Sequence, residues 1–280
     1  MTGNTSHLDI VGSSYLAKVR RRLLTEATRA IYRRRLVVEL AQPLISFTFD
    51  DFPRSAFTTA GSILKRHGVF GTYYASLNLM GKDSPVGRIF YRDDLKDLTS
   101  QGHELGCHTF EHCHSWNTPA DQYERAILKN QWMLNDVLPN AFFRTFSYPY
   151  SAPQLSIKKM AGTHFLCCRG GGLRPGKYLH RHDGGGQTFN CGVVDLNYLC
   201  AFFLEKSRDA PGEVKRLIDE NSRAGGWLIF ATHDVRTDPS PYGCTPAFFE
   251  QVVQWSLDSG ARVLPVVQAL SVLQRSQENN

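Results

Sequence analysis

Strand-like and helix-like segments alternate along most of this 280-residue chain, which restricts it to a parallel sheet with helices packed outside it. Residues 44–51 read as a strand, 55–67 as a helix, 69–76 as a strand, 91–101 as a helix and 103–109 as a strand. The helix expected over 119–138 has Pro119 at its start and Pro139 just past its end. Further strands are expected over 145–150, 164–169, 191–199, 227–234 and 262–266, with helices over 156–162, 211–224 and 246–259 between them. Roughly seven or eight such units in one chain suggest a closed or distorted (β/α) barrel.

The first strand carries the chemistry. Ile45-Ser46-Phe47-Thr48-Phe49 is an apolar run that ends in Asp50-Asp51. Two adjacent carboxylates repel unless a cation or a shared proton relieves them. His108 and His112 stand at i and i+4, a spacing that puts two imidazoles on one side of a helical turn, as one metal ion requires. One aspartate and two histidines are three protein ligands, leaving a coordination position open for water, which is the layout of a hydrolytic metal site.

Thr48-Phe49-Asp50-Asp51, His108-Thr109-Phe110-Glu111-His112, Phe146-Ser147-Tyr148-Pro149-Tyr150 and Leu228-Ile229-Phe230-Ala231-Thr232-His233-Asp234 follow one another in this order. In order and content they resemble the polysaccharide deacetylase family, also called the NodB-homology group or carbohydrate esterase family 4. The resemblance spans roughly residues 43–270 and implies an irregular barrel of about seven parallel strands. It assigns Asp51, His108 and His112 to a divalent metal, with zinc the default for such N/O ligation and cobalt or nickel able to serve. It makes Asp50 the general base, His233 the general acid and the Tyr150 N–H an oxyanion donor. Where many relatives have an arginine bracing the base, this chain has Ser147; Arg144 and Arg169 are the two candidates to substitute, with Arg169 preferred because strand C-terminal ends face the site. The family's fourth-motif acid, which positions the catalytic histidine, has no recognisable counterpart, and Asp183 and Asp195 are the candidates.

The remaining residues are read against plainer roles. His114, at i+6 from His108, faces away from a shared metal. Asp234 holds a local turn. Trp116 either stacks on a sugar or packs in the core. His180-Arg181-His182-Asp183, between two glycine triplets, is either a lid, a second metal site or a solvated loop, the loop being the commoner outcome.

Eight of the chain's cations fall between Tyr15 and Val38 against Glu26 alone, so the rest of a chain of formal net charge +6 is close to neutral. Leu16, Val19, Leu23, Ala27 and Ile31 recur at helical spacing, which predicts a basic amphipathic helix over residues 15–38. Such a helix either contacts an anionic membrane surface or docks on the barrel with a solvated basic face. Nucleic acid is not expected as a partner, because no aromatic-interleaved reader module accompanies the arginines; the sequence does not specify an oligomeric state. No apolar run reaches the ~18 residues of a membrane-spanning helix, the first residues lack the apolar core of a secretory signal, and seven cysteines without a Cys-x-x-Cys pair suit reduced thiols. The expected location is therefore cytoplasmic, with peripheral contact at the inner membrane face.

The expected organisation is a helical extension over 1–42, a catalytic barrel over 43–270 and a C-terminal tail over 271–280. The expected function is removal of an N-acetyl group from an amino sugar, on a nucleotide- or lipid-linked precursor. Two alternatives stay open: the same scaffold cleaving another C–N amide bond, such as a sugar formamide, and a catalytically silent sugar- or membrane-binding module.

Overall fold

The computed structural model describes residues 27–28, 30–151, 153–171 and 188–278. The barrel is a sheet of parallel strands in the order β10-β11-β2-β3-β6-β7-β8, with β12 beside β2. Its strands are β2 (Leu44–Phe49), β3 (Thr72–Ala75), β6 (Glu104–Cys107), β7 (Thr145–Ser147), β8 (Cys167–Arg169), β10 (Phe202–Phe203), β11 (Trp227–Thr232) and β12 (Arg262–Val263). Two antiparallel ribbons lie off it: β1 (Arg35–Val38) with β9 (Gly192–Asp195), and the hairpin of β4 (Asp83–Ser84) with β5 (Gly87–Arg88). β2 and β11 are buried at every position, as parallel strands covered on both faces must be. Leu199, three residues ahead of β10, borders β8: its N–H donates to Cys168 O (2.8 Å) and its carbonyl accepts from Gly170 N (2.9 Å). The result is a distorted (β/α) barrel of seven strands, as the alternation predicts.

The helices are α1 (Ser62–Arg66, entered through a π-helical turn over Ala56–Gly61), α2 (Arg92–Ser100), α3 (Ala120–Val137), α4 (Leu155–His164), α5 (Pro211–Arg223), α6 (Pro246–Asp258) and α7 (Val266–Glu278). α2 opens with Asp93 and Asp94 in its first turn, where carboxylates complement the helix dipole, and closes before Gly102, whose φ of 93° lets the chain reverse. At the barrel floor the half-buried Glu104 carboxylate accepts from the Thr72 and Thr145 hydroxyls and from the Val267 N–H. This ties three strands to the first turn of α7, whose helix continues through residues 271–278.

Two sequence expectations change here. Residues 35–38 are the strand β1 rather than the end of a helix, because Leu36 and Val38 face inward and Arg35 and Val37 outward, a period of two. β9 pairs with β1 outside the barrel; the barrel strand of that region is β10, at Phe202–Phe203. The basic segment before Ala27, and Arg29, lie outside the described residues, as do His180, Arg181, His182 and Asp183. Among the described residues no helix is long and apolar enough to cross a membrane.

The segment leading into β1 is fastened by a buried cation. Lys158, wholly buried on α4, pairs with Asp195 (2.6 Å) and donates to the carbonyls of Thr28 and Ile31, both at 2.7 Å. Asp195 also accepts the Arg34 N–H (3.0 Å), and Asn197 donates to Tyr32 O (2.7 Å).

Candidate active site

The four motifs converge at the C-terminal mouth of the barrel because each follows a strand of one parallel sheet. Asp50 and Asp51 follow β2, His108 follows β6, Ser147 ends β7, Arg169 ends β8 and His233 follows β11. Phe49 and Thr232 are register partners, and the Asp50 N–H donates to Thr232 O (3.0 Å), so Asp50 and His233 leave neighbouring strand ends together.

Asp51, His108 and His112 bring one donor atom each to within 4.8 Å of one another. Asp51 Oδ1 lies 3.6 Å from His108 Nε2 and 3.3 Å from His112 Nε2. The residues reach this triad by an irregular turn, not the helical turn that i, i+4 spacing suggests: Thr109 and His112 are left-handed, at φ 61° and 55°. Asp51, Phe52, Thr109, His112, Tyr150 and Ser151 make up six of the eight non-glycine residues with positive φ among the described residues. Each costs on the order of 1 kcal/mol or more, and that strain is concentrated at the mouth.

The triad fits a divalent cation. Asp51 Oδ1 is buried with no hydrogen-bond partner, an arrangement that is costly unless something cationic meets it. The His108 Nδ1–H donates to Ser147 O at 2.8 Å, leaving the Nε2 lone pair turned toward Asp51. Burial pushes the His108 imidazole down to about 4, against the pull of Asp50 and Asp51, so it stays neutral and able to ligate. Two imidazoles and a carboxylate are a borderline-soft donor set of the kind zinc takes.

Asp50 is held differently. Burial alone would raise its pKa, but the Arg169 guanidinium, with His108 and His233, holds it well below the ordinary carboxylate range. Arg169 is itself buried, donates to Asp50 Oδ1 and to the Ser147 hydroxyl, and lies between the rings of Tyr74 (5.2 Å) and Phe203 (5.6 Å). The Ser147 hydroxyl in turn donates to Asp50 Oδ1 at 3.2 Å. Arg144 is exposed at the opposite end of β7 and makes no such contact.

His233 is half-buried, its Nδ1 3.3 Å from the Tyr242 carbonyl and its ring between Phe203 (6.5 Å) and Tyr242 (5.6 Å). Asp234, fully buried, accepts from Ser240 N–H (2.8 Å) and pairs with Arg236 (2.9 Å), holding the loop that delivers Tyr242. Tyr150 is left-handed (φ 60°, ψ 13°) and its exposed ring lies 4.9 Å from His112 and 4.5 Å from His114. His114 stands outside the triad, its Nδ1 accepting the Trp116 N–H at 3.1 Å.

Sequence reasoning missed Glu205. Of the two acids named for the histidine, Asp195 is committed to Lys158 away from the mouth and Asp183 lies outside the described residues. Burial pushes the Glu205 carboxyl up to about 7, partly offset by its own backbone N–H and the charges of His233 and Lys206. Glu205 sits two residues past the end of β10, in a 3-10 turn over Leu204–Lys206, and a lone glutamate there carries no local signal.

Residues 38–164 match the family model described as polysaccharide deacetylase. A chitooligosaccharide deacetylase of Azorhizobium caulinodans is 30% identical over 114 residues, covering 40% of this chain and 50% of that protein; the chain thus spans about half that relative's length. Among solved structures, the peptidoglycan N-acetylglucosamine deacetylase Bc1960 superposes with a TM-score of 0.55 at 16% identity, over 83% of this chain and 89% of that one. A family 4 carbohydrate esterase pseudoenzyme from Bacillus anthracis does so with a TM-score of 0.54 at 12% identity, over 81% and 65%. At those identities the superpositions establish the shared fold.

Proposed function

We propose that this chain, which belongs to the polysaccharide deacetylase family, is a metal-dependent hydrolase that removes an N-acetyl group from an amino sugar. One observation carries the reading: Asp50 and Asp51 are adjacent but differently used, one braced by buried Arg169, the other presenting an unpartnered oxygen to two histidines. A divalent cation held by Asp51, His108 and His112, most simply zinc, supplies Lewis acidity toward water and the amide carbonyl.

The chain's own groups do the rest. Asp50, kept ionised by Arg169, takes the proton of the attacking water as general base. The Tyr150 N–H, turned by its left-handed backbone, meets the developing oxyanion. The His233 Nδ1–H is held by the Tyr242 carbonyl, so Nε2 is presented to the leaving amine as the proton donor. Arg169 takes the bracing role that the third motif leaves open, and Glu205 occupies the neighbourhood of His233 that a fourth-motif acid would.

Acetate release from a panel of N-acetylated sugars tests this, using metal-stripped protein with zinc or cobalt restored, beside Asp50→Asn. Metal-dependent release abolished in Asp50→Asn supports the reading. Metal binding without turnover on any sugar refutes it and favours a silent binding module, although Asp50 and His233 are both in place. Ser147 and Glu205 depart from the family pattern and favour, as a second reading, cleavage of another amide such as a sugar formamide; formate rather than acetate release distinguishes it.

The substrate proposed is a nucleotide- or lipid-linked sugar handled at the inner membrane face, with residues 15–38 contributing the basic contact. Truncation ahead of Ala27 removes Lys18, Arg20, Arg21 and Arg22 while sparing the partners of Lys158. Equal activity of that truncation on lipid-linked and soluble substrates would sink the membrane part of the proposal.

A further inference from the structure

α3 buries Tyr123, Ala126, Ile127, Asn130, Leu134 and Val137 against the barrel, and its otherwise polar outer face carries two large apolar side chains. Leu128 and Trp132, one turn apart there, are 52% and 68% exposed, and Phe142 just beyond the helix is 64% exposed. Gln131 joins them: its side chain donates to Ala141 O and accepts the Phe143 N–H, both at 2.9 Å, which holds Phe142 against the same stretch of α3. The apolar surface continues sideways. The N–H of exposed Leu166 donates to Arg144 O (2.9 Å), Arg34 donates to Leu166 O (3.1 Å), and exposed Tyr32 lies under the Lys159 ammonium at 5.0 Å.

Charge on this ribbon is one-sided. The acids of α3 lie against basic groups: Asp121 on Arg125 (2.9 Å), Glu124 on His164 (2.7 Å) and Asp136 near Arg92 (3.7 Å). Arg144, bonded through its carbonyl to Leu166, and Lys159, over Tyr32, belong to no ion pair among the described residues. Exposed Trp, Phe and Leu rimmed by unpaired cations is the composition that binds an interface of acyl chains and anionic headgroups. Nucleic acid phosphates would leave the apolar groups in water, and a second copy would bring like charges together.

We propose that this face, Leu128, Trp132 and Phe142 with Arg144 and Lys159, docks onto an anionic lipid surface. Phe142, Arg144 and Leu166 lie just before β7 and β8, at the floor of the barrel. The face lies on the flank and floor of the barrel rather than at its mouth, so vesicle binding is read separately from the proposed hydrolysis.

Co-sedimentation of the full chain with phosphatidylcholine vesicles, with and without phosphatidylglycerol, tests the proposal beside Trp132→Glu and Phe142→Glu. Both positions are exposed, and unchanged thermal unfolding checks that each variant is folded. The expected result is binding to the anionic vesicles only, weakened about tenfold in each variant. Wild-type protein that ignores anionic vesicles, or variants that bind them as well as wild type, would overturn it. So would a dimer in light scattering that Trp132→Glu dissociates without any vesicle binding, which would assign the face to a second copy.

Discussion

Removal of Arg169 is the sharpest probe of how the mouth is held together. Its guanidinium is buried between Tyr74 and Phe203 and bonds a carboxylate that is only 4% exposed. In Arg169→Met the apolar stem is kept, but Asp50 is left with the Ser147 hydroxyl as its side-chain donor among those described. Breaking a buried pair from one side costs about 3–5 kcal/mol, because one charge remains desolvated and uncompensated. Asp50→Asn exposes the converse problem, an unpaired buried guanidinium. The double variant removes both charges, so its cost should fall short of the sum of the two single costs by at least about 2 kcal/mol. Urea unfolding of the wild type and three variants, all in chelator so that metal occupancy is constant, measures that coupling. Additivity within about 0.5 kcal/mol would refute the reasoning, since it would mean the two groups do not sense each other in the fold.

Lys158→Met leaves Asp195 buried and uncaps the Thr28 and Ile31 carbonyls; a loss of about 3–5 kcal/mol in the same urea assay is expected, together with faster proteolysis near residue 31. His103, whose Nδ1 accepts the Gly71 N–H at 3.0 Å, is pushed by burial from 6.5 down to about 4. Below 6.5 the unfolded chain binds a proton that the fold refuses, so this contribution is complete above pH 6.5. It is lost as pH falls toward 4, by about 3 kcal/mol in all. His103→Gln should flatten the dependence of stability on pH across that window, and an unchanged slope would count against it. Asp51→Asn should weaken zinc binding, read by calorimetry, by more than the roughly 10–100-fold that loss of an outer-shell partner costs, with unfolding in chelator no less stable than wild type because Asp51 Oδ1 has no protein hydrogen bond to lose. Wild-type zinc affinity in that variant would remove Asp51 from the site.

Much of this molecule is written locally. Apolar runs such as Leu44–Phe49 become strands because residues of that shape fit a pleated, doubly covered surface. Carboxylates and histidines directly after such runs arrive at one rim because all strands of a parallel sheet end on the same side. Asp50, Asp51, His108, His112 and His233 were therefore legible as a group before any strand was paired. Arg169 was legible by the same logic once strand ends were known, although its contact with Asp50 spans 119 residues of sequence.

What tertiary structure alone decided is which distant groups share a low-dielectric space. The short strand β10 and Glu205 behind it have no periodicity to announce them, and only the pairing of β10 with β11, Phe203 opposite Ala231, brings that carboxylate near His233. The turn carrying His112 is set by left-handed backbone that packing imposes against local preference, so the two histidines meet Asp51 by a geometry other than the helical turn that i, i+4 spacing suggests. Residues 35–38 continue a helical pattern in sequence and become a strand because β9 offers a pairing edge and Lys158 anchors the chain beside it. Side-chain type and strand polarity are local properties of the chain, whereas pairing partner, burial and charge compensation depend on which segments meet.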